Sequence, residues 1–188
     1  MKVTLLLLCL CAPVALTAFA GDPAPTPVLG ARLPSVRGTS LAGEAVRLPE
    51  DLAGAPAVLL VAYRRGTQSD IDRWMAFLEG SHPGLKHLEV PAIASPVWRP
   101  LAGWIDSGMR RGVPQDKWSA VVTLYEDAGE LKNFLGDPGG YGALVVLLDK
   151  AGAVRWFGTG GFSDEAAGAL AESIEAALDE SGAAGHRP

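Results

Sequence analysis

Cysteine is nearly absent from this sequence of 188 residues, in which Cys9 and Cys11 are the two copies. Both lie in residues 1–20, where one lysine, an apolar run and the small-residue motif Ala18-Phe19-Ala20 are typical of a secretory signal. We therefore predict that the chain is exported, to the periplasm or the exterior, with cleavage after Ala20. The mature chain would then have no thiol, which excludes disulfides, thiolate metal sites and thiol redox chemistry.

Positive charge is also scarce, because 16 basic residues face 21 acidic ones and the formal net charge is −5. This balance gives no electrostatic footprint for nucleic acid or anionic lipid. The histidines lack the spacing of metal ligands, and none is placed by motif to complete a catalytic triad. We expect no metal, no cofactor and no catalytic residue. Membrane contact is expected only if the apolar run, short for a span of about 20 residues, is retained as an anchor.

The first half of the chain predicts a hairpin, a buried strand, a helix and a further strand. After a proline-rich leader at residues 21–34, turn residues and short alternations between residues 35 and 49 indicate the hairpin. The continuous apolar run at residues 57–63 predicts a strand covered on both faces, at the centre of a sheet. Ser69 is expected to cap a helix, and residues 88–93 form the next strand, so that strand, helix and strand make a parallel crossover.

The second half contains an irregular insert between residues 95 and 140, with a strand at residues 119–125 and a short helix at residues 130–135. Residues 143–148 and 154–157 predict a second hairpin. Ser163 is expected to cap the last helix, whose apolar positions extend to Leu178. The result is an α/β domain over residues 35–180, in which helices flank a central mixed sheet, followed by a polar, flexible tail at residues 181–188.

Two segments of this layout resemble the thioredoxin-like superfamily, in the branch shared by peroxiredoxins and thiol oxidoreductases. They are Gly54-Ala55-Pro56 with the apolar strand that follows, and the hairpin at residues 147–156. The resemblance implies a thioredoxin-like fold, with a Cys-x-x-Cys motif at the turn of residues 66–70. Thr67 and Asp70 stand near the positions of the two cysteines, and Ala143 stands where the family has a cis-proline. Both halves of the redox site are therefore missing, and the family's activity is not implied for this chain.

The second hairpin also resembles the mitochondrial ATP synthase assembly factor family, which has a thioredoxin-like fold without a redox site. Their shared pattern is Leu-x-Asp-x-x-Gly-x-x-Arg-Trp-x-Gly-x-Gly, which here falls on Leu147, Asp149, Gly152, Arg155, Trp156, Gly158 and Gly160. This resemblance implies an assembly or chaperone-like role.

Two places on the chain are candidates for binding. One is the turn that would hold Cys-x-x-Cys, since open α/β sheets place ligands at such strand ends; an anion could bind there to Arg64, Arg65, Thr67 and Asp70. The other is a partner surface, for which aromatic and arginine side chains are the usual anchors. Its candidates are Trp98, Trp104, Arg110, Arg111, Trp118, Arg155 and Trp156.

Each candidate has a plainer alternative. The arginines of the turn could be ordinary surface residues, and the tryptophans of the insert could belong to the core. Trp156 could likewise be core, with Arg155 solvated on the other face of the strand. The glycines at positions 158, 160 and 161 could form a tight turn instead of cradling a phosphate, because no P-loop lysine accompanies them.

The sequence therefore predicts an exported, redox-inactive protein that acts by binding, as an accessory or assembly factor for an envelope protein. The alternative is a non-redox enzyme or a small-ligand-binding protein that uses the turn of residues 64–70. On the first hypothesis the contact surface is the insert from Trp98 to Trp118. Alanine at Trp104 and Arg110 is then expected to abolish partner capture without changing the thermal midpoint.

Overall fold

The structure is a computed structural model that describes Pro27 and residues 29–94, 100–140 and 142–184. The predicted signal, half of the leader, Trp98 and residues 185–188 lie outside the described residues. In the described ranges, no helix combines the length and the apolar character that crossing a membrane requires. The strands and helices of these ranges are β1 (Val36–Ser40), β2 (Ala45–Leu48), β3 (Ala57–Ala62), α1 (Gln68–Ser81), β4 (Lys86–Pro91), α2 (Ala102–Arg110), β5 (Val122–Thr123), α3 (Ala128–Leu135), β6 (Leu144–Leu148), β7 (Val154–Gly158) and α4 (Asp164–Ala184).

A four-stranded mixed sheet in the order β4-β3-β6-β7 forms the centre of the fold. β3 runs parallel to β4 and antiparallel to β6. All side chains of β6 and all but the last of β3 are buried, because both faces of these strands are covered. The apolar run at residues 57–63 is thus a central strand, as the sequence predicts, and the crossover through α1 to β4 is parallel.

Helices pack on both faces of this sheet and create two cores. On one face, α1 contributes Trp74 and Leu78, and α4 contributes Leu170 and Ile174. On the other face, the alternate side chains of β3 and β6 pack against α3 and the N-terminal hairpin. This arrangement confirms the predicted α/β class with a flanked mixed sheet.

The N-terminal hairpin belongs to a second, three-stranded sheet in the order β2-β1-β5. β5 has two residues and is shorter than the predicted strand at 119–125, because Gln115–Ala120 forms a 3-10 helix. Parallel bridges pair Val121 with Glu89 in β4 and Leu124 with Ala92 just after it. The segment around β5 therefore joins the two sheets.

Several boundaries differ from the sequence prediction. α1 begins one residue before Ser69, after a 3-10 turn at Arg65–Thr67, so Thr67 holds the N-cap position. β4 begins two residues before the predicted strand. The insert contains α2, which sequence analysis did not predict; glycines at two of its nine positions weaken the local helix signal.

The last helix is capped as predicted but is longer. The backbone N–H of Ala166 donates to Ser163 Oγ at 3.1 Å. α4 continues through Ser181, whose hydroxyl donates to the Ala177 carbonyl, and ends beyond the predicted domain boundary at residue 180. Ala177 faces the core, whereas Leu178, a predicted core position, is 40% exposed.

Gly38 provides a test of the junction between the two sheets. An added Cβ at Gly38 in β1 would lie 2.6 Å from Val122 Cγ1 and 3.0 Å from the Thr123 carbonyl oxygen. We expect Gly38→Ala to lower the free energy of unfolding by about 2 kcal/mol, because β1 and β5 must separate. The matched control is Gly168→Ala in α4, where a Cβ meets nothing within 4 Å; it should stabilise by about 0.5 kcal/mol through helix propensity. Urea denaturation measures both, and equal effects would contradict the junction.

Candidate functional site

The carboxylate of Asp70, in the first turn of α1, is the main hydrogen-bond acceptor where β3 connects to α1. Asp70 is 4% exposed, and its Oδ2 accepts the N–H of Ala143 at 2.8 Å. Its Oδ1 accepts the N–H of Phe162 at 2.8 Å and the Arg73 guanidinium at 2.7 Å. A buried carboxylate is costly unless it is paired and hydrogen-bonded, and both conditions are met here. One side chain thus ties the start of α1 to the residue before β6 and to the loop before α4.

Glycines allow these loops to approach Asp70. Gly161 has a φ of +80°, and a Cβ there would lie 3.3 Å from Asp70 Oδ1. Gly142 packs against Gly161, since a Cβ at Gly142 would lie 3.0 Å from the backbone nitrogen of Gly161. The loop at residues 159–161 is therefore a close-packed turn that directs a backbone N–H to Asp70, the plainer of the two roles considered for these glycines.

Arg64 belongs to a separate charge cluster. Its guanidinium donates to both carboxylate oxygens of Asp137, at 2.9 and 3.0 Å, and Lys132 Nζ lies 2.8 Å from Asp137 Oδ2. Hydrogen bonds from Arg64 and then from Lys132 hold the pKa of Asp137 well below its usual range. Lys132 Nζ also lies 5.6 Å from the ring centroid of Tyr63. Burial, and secondly the charge of Asp137, raises the pKa of Tyr63 above its ordinary value.

The four residues predicted to form a ligand pocket face different surroundings. Asp70 and Thr67 are buried, with 4% and 2% of their surface exposed. The Arg64 guanidinium is held by Asp137, and Arg65 is exposed to solvent. The geometry therefore does not direct these side chains to one cavity, and a ligand site at this turn stays a prediction.

Part of the predicted partner surface is exposed on α2. No residue of this nine-residue helix is buried, Leu101 just before it is 43% exposed, and Trp104 is 64% exposed. The Tyr125 hydroxyl ties the inner side of the helix to the domain through the Ala102 carbonyl at 3.2 Å and Asp106 Oδ1 at 2.8 Å. Leu101 and Trp104 thus form an exposed apolar patch, which we call the α2 patch.

Arg110 and Trp118 have structural contacts instead. The Nε of Arg110 donates to the Leu41 carbonyl at 2.7 Å, and its guanidinium lies 5.6 Å from the Trp118 ring centroid. Trp118 in turn donates its Nε1 proton to the Val113 carbonyl at 2.9 Å. Both side chains are half-buried. They hold the insert against the hairpin loop, while the neighbouring Arg111 is exposed.

Arg155 and Trp156 lie on β7, at the edge of the central sheet opposite β4. The Arg155 guanidinium pairs with Glu180 on α4. The Trp156 ring packs on Trp74 with 6.2 Å between centroids. The 3-10 helix that carries Trp118 contacts β1 and β4 instead, so the predicted surface residues do not form one surface.

Sequence analysis missed most of the partners that define these clusters. Arg73 lies three residues after Asp70, a spacing that allows an ion pair on one helix face and could have been noticed. Phe162 and Asp137 are 92 and 73 residues distant from their partners Asp70 and Arg64, and no local pattern marks them.

Comparison with known proteins finds similarity in structure. No protein-family model matches the chain, and no curated protein sequence matches it. The solution structure of a putative protein disulfide isomerase from Bacteroides thetaiotaomicron matches with a TM-score of 0.57 and 18% identity, over 87% of this chain and 98% of that one. The chain has a thioredoxin-like fold.

Two further thioredoxin-like neighbours match with lower TM-scores. A putative thiol:disulfide interchange protein DsbE from Chlorobium tepidum has 20% identity and a TM-score of 0.53, over 81% of this chain and 99% of that one. BsSco, a member of the Sco family of cytochrome c oxidase assembly proteins, has 11% identity and a TM-score of 0.55, over 82% and 97%. The predicted resemblance to the thioredoxin-like superfamily is thus confirmed at the level of fold. The narrower resemblance to the ATP synthase assembly factor family stays a prediction.

The stabilising role of Asp70 can be tested by substitution. Asp70→Ala leaves the buried N–H groups of Ala143 and Phe162 without their acceptor and should lower the free energy of unfolding by about 3 kcal/mol. Asp72→Ala is the matched control, since Asp72 is exposed two residues later in the same helix and should cost less than about 0.5 kcal/mol. Urea denaturation distinguishes them, and a loss of less than about 1 kcal/mol for Asp70→Ala would contradict this role.

The Asp137 cluster predicts a pH dependence. Because the folded pKa of Asp137 lies below that of the unfolded chain, its stabilisation is complete above the unfolded value of about 3.9 and is lost as the pH falls further. Arg64 and Lys132 are each 40% exposed, so screening limits the effect to about 1 kcal/mol. We expect Asp137→Asn to be less stable at pH 7 and to approach the natural chain below about pH 4. A constant difference from pH 7 to the acid range in urea denaturation would be inconsistent with this linkage.

Proposed function

We propose that this chain is a redox-inactive thioredoxin-like protein that acts by binding, as an accessory or assembly factor of the cell envelope. The α2 patch is the observation that carries the proposal. Trp104 of α2 and Leu101 just before it are exposed, and no residue of the helix is buried, so this apolar surface is left open by the described part of the chain. Tryptophan is among the residues that contribute most to protein interfaces. The envelope location rests on the signal-like character of residues 1–20.

The solved neighbours suggest two kinds of function. Two of them are named as disulfide isomerase and thiol:disulfide interchange proteins, and BsSco is named as an assembly protein. Thiol exchange requires a thiolate, and this sequence has cysteine at positions 9 and 11 alone. At the turn before α1, the carboxylate of Asp70 is buried and hydrogen-bonded to the backbone. These features favour an assembly or accessory role over thiol chemistry.

The sequence suggests alanine substitutions at Trp104 and Arg110 as a test of partner capture, but Arg110 is unsuited to it. Its guanidinium supports the Leu41 carbonyl and the Trp118 ring, so its removal disturbs the insert itself. Trp104 is the better residue to replace, because its side chain is mostly exposed and contributes little to the packing of the fold.

We expect Trp104→Ala to lower capture of the partner roughly tenfold, since it removes a hot-spot side chain, and to leave the thermal midpoint nearly unchanged. The measurement is an affinity pull-down from an envelope fraction with cross-linking, quantified for each captured band. Leu178→Ala is the matched control, because Leu178 is an exposed large apolar residue on α4, 40% exposed. It should leave capture intact.

Two outcomes would contradict the proposal. Capture that survives in Trp104→Ala, or is lost equally in Leu178→Ala, would show that the α2 patch is not the contact. Reduction of insulin disulfides by the chain lacking residues 1–20 would show that it is not redox-inactive.

A further inference from the structure

We propose that the groove between β2 and β4 binds an extended polypeptide segment, which adds as a strand to the open edge of β4. The groove has a volume of about 730 Å3. Its walls are the edge strands β2 and β4, and the 3-10 helix Gln115–Ala120 lines one end. Its apolar lining residues are Ala45, Val46, Leu52, Leu85, Leu88, Ala120 and Val122. This site is distinct from the α2 patch, and the proposal does not depend on it.

The backbone of β4 shows which groups face the groove. Ala92, just after β4, donates its N–H to the Ala62 carbonyl, so even-numbered residues of this segment point toward β3. Odd-numbered residues point to the outer edge, as shown by the Pro91 carbonyl, which accepts the N–H of Leu124. Glu89 is bridged to Val121. The outward N–H and C=O of His87 therefore lie beyond the last bridge, at the groove.

The segment around β5 does not extend far enough to cover His87. Its bridges to β4 stop at Val121, because the preceding residues turn away in the 3-10 helix Gln115–Ala120. Where the groove begins, the β4 edge thus has no strand partner, and the 3-10 helix that contacts β4 leaves the backbone N–H and C=O of His87 without a described hydrogen bond. An open strand edge is satisfied best by another extended backbone, which makes a polypeptide the fitting occupant.

β2 forms the opposite wall of the groove with one of its faces. β1 and β5 lie between β2 and β4 in the order of strands, so the free edge of β2 points away from β4. Val46 of β2 is paired with Gly38, and the Cβ that Gly38 lacks would lie 2.6 Å from Val122 Cγ1, so Val46 and Val122 line the groove from the same face of the three-stranded sheet. An inserted strand would pair with the backbone of β4 and pack its side chains against this face.

The charges of the groove select the side chains of the occupant. Lys86 donates its ammonium proton to the Asp51 carbonyl at 3.1 Å, so its charge is held at the rim. Glu44 is exposed at the same groove, and no basic residue in the described part of the chain pairs with its carboxylate. Because side chains alternate along a strand, a segment with apolar residues toward the floor and basic residues toward Glu44 fits this site.

The test uses the full chain and two capped hexapeptides, one of alternating valine and lysine and one of alternating valine and glutamate. Calorimetric titration measures binding, and NMR follows the amide signals of Ala45 and His87, which should shift. His87→Pro removes the outward N–H and should weaken binding of the lysine peptide roughly tenfold. His87→Ala keeps that N–H and should leave binding within about twofold, which separates the backbone contact from the loss of the imidazole.

Glu44→Lys is a second, independent variant, which reverses a side-chain charge and leaves the backbone of both sheets unchanged. It should weaken binding of the lysine peptide about fivefold and improve binding of the glutamate peptide. Glu172→Lys on the exposed face of α4 is its control and should change neither. The proposal is overturned by absence of binding of the lysine peptide, by equal effects of His87→Pro and His87→Ala, or by an equal preference for both peptides in the natural chain.

Discussion

The hydrogen bonds that converge on the Asp70 carboxylate join the two halves of this fold at the end of the sheet where the pairing of β3 with β6 stops. Asp70 belongs to the first crossover, whereas its backbone donors Ala143 and Phe162 belong to the C-terminal hairpin and helix. A carboxylate at this depth is tolerated because two N–H groups and the Arg73 guanidinium replace its lost hydration. The two N–H groups also need the carboxylate, since they would otherwise be buried without an acceptor. Little of the side chain is left open to a substrate.

A layer of aromatic rings packs beside this carboxylate and explains part of the hairpin pattern. Trp74 contacts Phe162 with 5.0 Å between ring centroids, and Trp156 closes the other side. The Trp156 indole lies over Gly158, where an added Cβ would come within 2.4 Å of the ring. The Arg73 guanidinium lies 5.8 Å from the Phe162 ring centroid. The tryptophan and glycine of the Arg-Trp-x-Gly pattern therefore have a packing reason that requires no ligand.

Apolar periodicity and capping residues were sufficient to predict most of the fold, because strands covered on both faces and helices with one buried face leave strong local patterns. The run at residues 57–63 and the cap at Ser163 are examples. The site was less predictable. Asp70 in a first helical turn is usually a solvated charge that favours the helix dipole, and nothing nearby indicates that its partners lie 73 and 92 residues away. The hydrogen bond between Ala143 and Asp70 joins the two positions that the family resemblance marked, the turn at residues 66–70 and the residue before the second hairpin.

The insert, in contrast, concentrates the features that a binding protein needs. The 3-10 helix of the insert contributes to two surfaces. Its Trp118 ring packs against Arg110 at the end of α2, and its Ser119 and Ala120 line the groove between β2 and β4. Open apolar surface and open strand edge are costly to leave in water, and each is usually covered or blunted in a protein that works alone. Asp70 contributes to neither surface. If the chain acts by binding, as we propose, its recognition chemistry rests on the exposed strand edge and the apolar side chains of these two surfaces, for which no thiol is required.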